Sequence, residues 1–144
     1  MSAPMQFFLP GPPPTVTDQT RALGVNRVTL KPYVYQTDQL RQARATLRDA
    51  LTPNAPSSPM RGPVRLVVKW CFPVPRTGGH HSGEYKPTRP DTDNLQKALK
   101  DEMTRLRFWR DDAQVASEVV EKFWSDVPGI FIRVEELTAI DRGA

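Results

Sequence analysis

Apolar residues recur along this chain with two periods. Leu40, Ala43, Leu47 and Ala50 are spaced three and four residues apart, which is the repeat that lines one face of a helix. Thr37 or Asp38 is placed to cap its start, so the spacing predicts an amphipathic helix over about residues 38–51, with Arg41, Arg44 and Arg48 off the apolar face. Leu95, Ala98, Leu99, Met103 and Leu106 repeat the pattern and predict a second helix starting near Asp91 or Asp93, either of which can cap it. Runs rich in β-branched and aromatic residues predict strands over residues 5–9, 64–72, 115–124 and 129–137. Residues 27–35 have the same composition, but Pro32 interrupts them, so they predict an edge strand or a hairpin. Residues 11–24, 52–63 and 73–90 read as connections, and residues 137–144 as a flexible polar tail. The order β, β, α, β, α, β, β predicts an α/β chain of the α+β kind: a mixed sheet with two main helices packed on it.

Composition narrows this picture. A length of 144 residues suits one domain spanning 1–144. Fifteen prolines cluster at residues 10–14 and 53–63, marking rigid connections, because proline neither continues a helix nor donates to a ladder. The single cysteine, Cys71, rules out an intrachain disulfide and fits a reducing compartment. The start of the chain lacks a basic segment followed by an apolar one, and no apolar run approaches the roughly 18 residues of a membrane span. A cytoplasmic location with no membrane contact is therefore expected. The net charge of +4 favours a polyanionic partner.

The chemistry is concentrated in residues 90–115, PDTDNLQKALKDEMTRLRFWRDDAQV. Asp91 and Asp93 open the second helix, and Asp111 and Asp112 follow it. At 100° per residue, Leu95, Leu99, Met103 and Leu106 share one quadrant, and Asp93, Lys97, Asp101 and Thr104 the opposite side. A helix of about 16 residues spans roughly 24 Å, so Asp111 and Asp112 can rejoin the helix start only along a returning strand. If they do, three or four carboxylates converge. Such groups repel one another unless they share a cation, and oxygen-only ligands select Mg²⁺ or Mn²⁺. Lys97, one turn beyond Asp93, can offset charge or contact a phosphoryl transition state. N-capping alone would explain one aspartate but not two plus a distant pair. A calcium loop starting at Asp91 fails because Leu95 and Gln96 stand where an oxygen ligand and a glycine are needed. His80 and His81 are adjacent in a loop with no further zinc ligand nearby. Lys69, Arg76, Lys86 and Arg89 are the candidate DNA-binding rim, and Trp70, Phe108, Trp109, Phe123 and Trp124 are candidates for the core or a dimer interface.

Asp91-x-Asp93-Asn94-Leu95-x-Lys97-Ala98, then Asp101, then Trp109-x-Asp111-Asp112-Ala113-Gln114-Val115 and Lys122 resembles the signature of the RusA Holliday junction resolvases. The likeness is dense over residues 90–122 and looser elsewhere, where Leu9-Pro10-Gly11-Pro12-Pro13 looks like the family's opening strand and proline turn. It implies a homodimer of mixed α/β fold that uses Mg²⁺, or Mn²⁺ in its place, to make paired symmetric nicks across a four-way junction in DNA recombination and repair. Carried over residue by residue, it implies metal ligands at Asp91, Asp93 and Asp112 and a required lysine at Lys97. Asp111 would be an accessory acid, and Asp101 would support the site from behind. Three departures stand out: a glycine- and histidine-containing approach over residues 76–89, Thr15-Val16 after the proline turn, and Arg107 where glycine is common. They fall in regions expected to set junction specificity.

The expected function is thus a metal-dependent, structure-selective endodeoxyribonuclease from a bacterial or prophage setting. Two alternatives stand beside it: a nuclease preferring forks, flaps or other branched DNA, and a non-catalytic DNA-binding module. Symmetry argues separately for the dimer, since two matched cuts need two acidic clusters and a chain this small carries one.

Overall fold

In a computed structural model, residues 3–16, 22–35 and 37–138 are described. Strands β1 (Met5–Pro10), β2 (Ala22–Val25) and β3 (Pro32–Tyr35) precede helix α1 (Asp38–Leu51); strand β4 (Val64–Pro73), helix α2 (Thr92–Arg105), and strands β5 (Val115–Ser125) and β6 (Gly129–Glu136) follow. Four strands form one sheet in the order β1-β6-β4-β5, and β2 and β3 form a separate hairpin. β1 and β4 pair antiparallel with β6, while β4 and β5 pair parallel. A parallel pair needs a long crossover, and the segment containing α2 provides it. The mixed sheet with two helices matches expectation.

Alternation along β4 decides where the core sits. Val64, Leu66, Val68, Trp70 and Phe72 are all buried, and their neighbours are more exposed. On the same side, Ile130, Ile132 and Val134 of β6 join Leu47 and Leu51 of α1, and Leu95, Leu99 and Met103 of α2. Both helices therefore cover one face of the sheet. Trp70, Phe108 and Trp109 are fully buried core residues, whereas Phe123 and Trp124 are only partly covered. Lys69 lies on the other face, its ammonium 5.7 Å from the centre of the Phe131 ring.

Several predicted boundaries and burials shift, each for a physical reason. The stretch read as a connection to residue 24 ends in β2, and Arg27 falls in the β2–β3 turn instead of a strand. Asn26 makes that turn by accepting from the Val28 and Thr29 amides through Oδ1, a local side-chain turn that substitutes for ladder bonds. Arg44 lies on the buried stripe of α1 with Leu40, Leu47 and Leu51 instead of off it. It is admitted there because Asp101 and Glu102 of α2 face it at 2.6 and 3.4 Å. The connection over residues 52–63 contains a 3₁₀ turn, Thr52–Asn54, and is anchored where the Met60 amide donates to Phe108 O. At the end of the chain the Leu137 amide donates to Pro63 O, so residue 137 is tied down; residues 139–144 of the expected tail lie outside the described residues. No helix among the described residues is long and apolar enough to cross a membrane.

Candidate active site

The approach to α2 is built from loop backbone and two ammonium groups. Residues 83–86 run beside β5: the Lys86 amide donates to Lys122 O, and the Trp124 amide to Glu84 O. This brings the Lys86 side chain inside, where it is 7% exposed. Its ammonium donates to Thr88 O at 3.0 Å, Thr88 Oγ1 at 2.8 Å and Arg89 O, and lies over the rings of Phe72 and Trp124. Burial, and then the neighbouring Lys122, lower its pKa. Lys122 donates from the strand side to Thr88 O at 2.6 Å and Pro90 O at 2.8 Å. Three successive carbonyls before Asp91 are thus held by two cations. Lys86, expected on a DNA-binding rim, is instead a buried clamp; Arg76 and Arg89 remain exposed.

Asp91 takes the N-cap backbone conformation of α2, but its side chain makes no capping bond. Asp93 is exposed in the first turn, its Oδ1 accepting from the Asn94 amide. Both carboxylates sit in the positive field of the helix start. Asp93 lines a cleft of about 300 Å³ with Thr92, Gln96, Lys97, Lys100, Asp112, Glu118 and Val120. Lys97 is 3.6 Å from Asp101. Asp101 also accepts from Arg44, so it links the cleft to the α1–α2 contact.

After α2 the chain turns on Arg107, whose φ of +67° is left-handed; its amide donates to Thr104 O and that of Phe108 to Met103 O, as in a helix C-cap. This explains the glycine common at that place. A second 3₁₀ turn, Asp112–Gln114, is then closed by a capping box: Asp111 Oδ1 accepts from the Ala113 amide, while Gln114 Oε1 accepts from the amides of Arg110 and Asp111. Gln114 Nε2 donates to Met60 O and Gly62 O, pinning the turn to the chain before β4. Asp111 is therefore occupied as a cap, and its neighbour Asp112 reaches the cleft.

The returning strand exists, but it returns different residues from those expected. β5 runs back along α2, so Lys100 and Gln96 meet Glu118, and Lys122 reaches Pro90. Asp112 precedes this run. It therefore also lines a neighbouring cleft with Asp101, Glu102 and Arg105 from the end of α2. The expected gathering of three or four carboxylates does not form: among the described residues, no three His, Cys, Asp or Glu side chains are close enough to hold a metal ion together. Asp93 and Asp112 share one cleft, and Asp91 is not among its lining residues. The donors fit a hard divalent cation held by one or two carboxylates with water completing its shell, the arrangement magnesium prefers.

Sequence reasoning missed Glu118 and Gln96. Trp70 Nε1 donates to Gln96 Oε1 at 2.7 Å, and Gln96 Nε2 donates to Glu118 Oε2 at 2.6 Å. Lys100 holds the other oxygen at 3.0 Å. Core tryptophan, buried amide and cleft carboxylate thus form one chain of bonds. The available signal was a glutamine on the apolar side of α2, which needs a buried partner.

The aspartates at both ends of α2 lie within the part of the chain that known proteins share. The sequence profile of the endodeoxyribonuclease RusA family matches residues 10–135. This chain belongs to the RusA endodeoxyribonuclease family. It is 32% identical over 93 residues to the uncharacterized protein YqaN of Bacillus subtilis (strain 168), covering 58% of this chain and 65% of that one. It is also 32% identical over 75 residues to a crossover junction endodeoxyribonuclease rusA of Lactococcus phage r1t, covering 52% of this chain and 56% of the phage protein. Each match thus spans less than two thirds of the curated relative.

Proposed function

We propose that this RusA-family chain is a homodimeric, Mg²⁺-dependent endodeoxyribonuclease that resolves Holliday junctions by paired symmetric nicks, with Mn²⁺ able to replace Mg²⁺. The observation that carries the reading is the shared cleft: Asp93 and Asp112, from opposite ends of α2, face it together with Lys97. Family membership supplies the nuclease chemistry, and the named activity of the phage relative supports the branched substrate.

In this reading Asp93 and Asp112 would hold the cation from the cleft with water completing its shell, and Asp91 would join them from the helix start once the cation is bound. When bound, the cation polarises a phosphoryl oxygen and lowers the pKa of a bound water. Lys97 binds a non-bridging phosphate oxygen, and Asp101 orients Lys97 from the next turn. Asp111 holds the turn that presents Asp112. Arg76, Arg89 and Lys69 contact the DNA backbone. Two copies related by a two-fold axis supply the two matched sites that symmetric nicking needs. The setting is recombination and repair of bacterial or prophage DNA in the cytoplasm; the phage relative is compatible with the prophage origin.

The test is cleavage of a labelled four-way junction beside linear duplex, fork and flap DNA, with Mg²⁺, with Mn²⁺ and with EDTA. Paired nicks in the junction that need a cation are expected, and the Asp93→Asn protein should bind the junction without cutting it. Cation-dependent cutting of forks or flaps instead of junctions would replace the resolvase reading with a broader branched-DNA nuclease. Junction binding without cutting would replace it with a binding module.

A further inference from the structure

Behind the cleft, α1 and α2 meet through charged side chains instead of apolar ones. Glu102 is 1% exposed, and three guanidinium groups surround it: Arg48 Nε at 2.6 Å, Arg44 Nε at 3.4 Å and Arg105 Nε at 3.7 Å. Arg48 alone would neutralise this carboxylate and Arg44 is shared with Asp101, so Arg105 adds to the positive charge around it. Arg41 lines the same groove, a hollow of about 260 Å³, and pairs with Asp38 at its outer edge. Lys97 and Arg44 share Asp101. The groove is lined by the guanidinium groups of Arg41, Arg44, Arg48 and Arg105 and by one carboxylate, Glu102; Asp38 and Asp101 pair with Arg41 and Arg44. Arg44 is 8% exposed and Arg48 is partly covered, so both are fixed in place, whereas Arg41 and Arg105 have side chains 59% and 62% exposed. A groove with ion-paired guanidinium groups at its base and exposed ones at its rim suits phosphate groups spaced along a strand, because the planar guanidinium binds phosphate oxygens in pairs.

The groove also lies on a path from the cleft. Arg44 and Arg105 continue into a second hollow that contains Arg110, Asp111 and Asp112, and Asp112 in turn lines the cleft with Asp93 and Lys97. We propose that this arginine groove between α1 and α2 is a DNA-backbone site, binding phosphates of the arm that leaves the cleft past Asp112. Arg105 and Arg41 make the direct contacts, and Glu102 holds Arg44 and Arg48 as the floor. The inference rests on the nuclease reading and adds to it a DNA path on the helical side, away from the sheet face that carries Lys69. Surface ion pairs such as Arg41–Asp38 are weak enough to exchange for phosphate.

The test measures binding of a labelled four-way junction and a labelled linear duplex by fluorescence anisotropy, in Ca²⁺ and without Mg²⁺, across a salt series. Three proteins are compared: wild type, Arg41→Gln/Arg105→Gln, and Arg27→Gln/Lys31→Gln. The last removes the same charge from the exposed β2–β3 turn. Each lost phosphate contact should lower the slope of log affinity against log salt by about 0.9. Losing two lowers it by about 1.8, so raising salt from about 50 to about 200 mM weakens wild type about 12-fold more than the arginine variant. The expected result is this loss in the arginine variant, with an unchanged melting temperature and the turn variant close to wild type. Equal losses in both variants, meaning that only net charge matters, or no loss in the arginine variant, would overturn the proposal. If wild type neither binds nor cuts branched DNA, the nuclease reading fails instead, and the two failures are distinguishable.

Discussion

The two acidic pairs at the ends of α2 are held in opposite ways. Asp91 and Asp93 follow a loop whose carbonyls are gripped by the ammonium groups of Lys86 and Lys122, and they sit where the helix field is positive. Asp111 and Asp112 sit in a turn closed by neutral amides: Asp111 caps it, and the Gln114 side chain ties it to Met60 and Gly62. The first pair is stabilised by charge, the second by geometry. Each sends one carboxylate, Asp93 or Asp112, to the shared cleft. Adjacent aspartates can therefore have different jobs, and residue type alone does not say which is which.

The strongest way to break this comparison is within the second pair. Asp112→Asn removes a cleft carboxylate that makes no cap, so cleavage should fall by about 100-fold or more, with folding stability within roughly 0.5 kcal/mol of wild type. Asp111→Ala removes the cap acceptor for the Ala113 amide; it should cost about 1 kcal/mol of stability and leave most of the cleavage rate. Single-turnover cleavage and urea unfolding of both variants decide the matter. Equal loss of cleavage in the two would mean that the pair acts as a unit and the division of labour is wrong.

A second break addresses the charged grip on the first pair. Lys86→Met keeps an unbranched apolar stem but removes the ammonium that lies over Phe72 and Trp124, and it strands Thr88 Oγ1 and the carbonyls of Thr88 and Arg89. Lys122 still reaches Thr88 O, so the expected cost is about 2–3 kcal/mol, the order of one or two unsatisfied acceptors. The pH profile carries a separate signature. Burial lowers the Lys86 pKa in the folded protein below 10.5, so on raising the pH the folded state releases this proton before the unfolded state does. Where the unfolded chain binds more protons, stability rises with pH. Lys86 therefore contributes a stabilising slope between its lowered pKa and 10.5, with none at pH below that window. Urea midpoints of wild type and Lys86→Met at several alkaline pH values should show this slope in wild type alone.

Much of this architecture was legible because period reveals burial. Alternation along β4 and the three-four spacing of Leu95, Leu99 and Met103 need no tertiary information. What escaped reading was polar burial. Arg44, Glu102, Gln96 and Lys86 are of types usually exposed; the first three are buried because a polar partner distant in sequence meets each, and Lys86 because its ammonium, bonded to nearby carbonyls, lies over the distant rings of Phe72 and Trp124. The cleft was legible in its residue types and illegible in its distances. Asp93 and Asp112 could be named from the motif, but how far apart they lie depends on where β5 starts relative to α2. Glu118 enters through that register, and no local signal marks it.

The smallest expected effect sharpens the geometric half of the comparison. The chain reaches the second pair through Arg107, which carries a side chain at φ +67°. For a residue with a Cβ that region costs about 1–2 kcal/mol, whereas glycine enters it without the clash. Glycine also has more freedom to lose from the unfolded chain, which offsets part of the gain. Arg107→Gly should therefore raise stability by roughly 0.5–1 kcal/mol, read as a higher urea midpoint at unchanged slope. Arg107 is exposed and lines neither cleft beside Asp112, so the cleavage rate should stay near wild type. A fall in cleavage with the expected gain in stability would mean that the strained turn sets the position of Asp112. The second pair would then be held by backbone conformation as well as by the Asp111 cap.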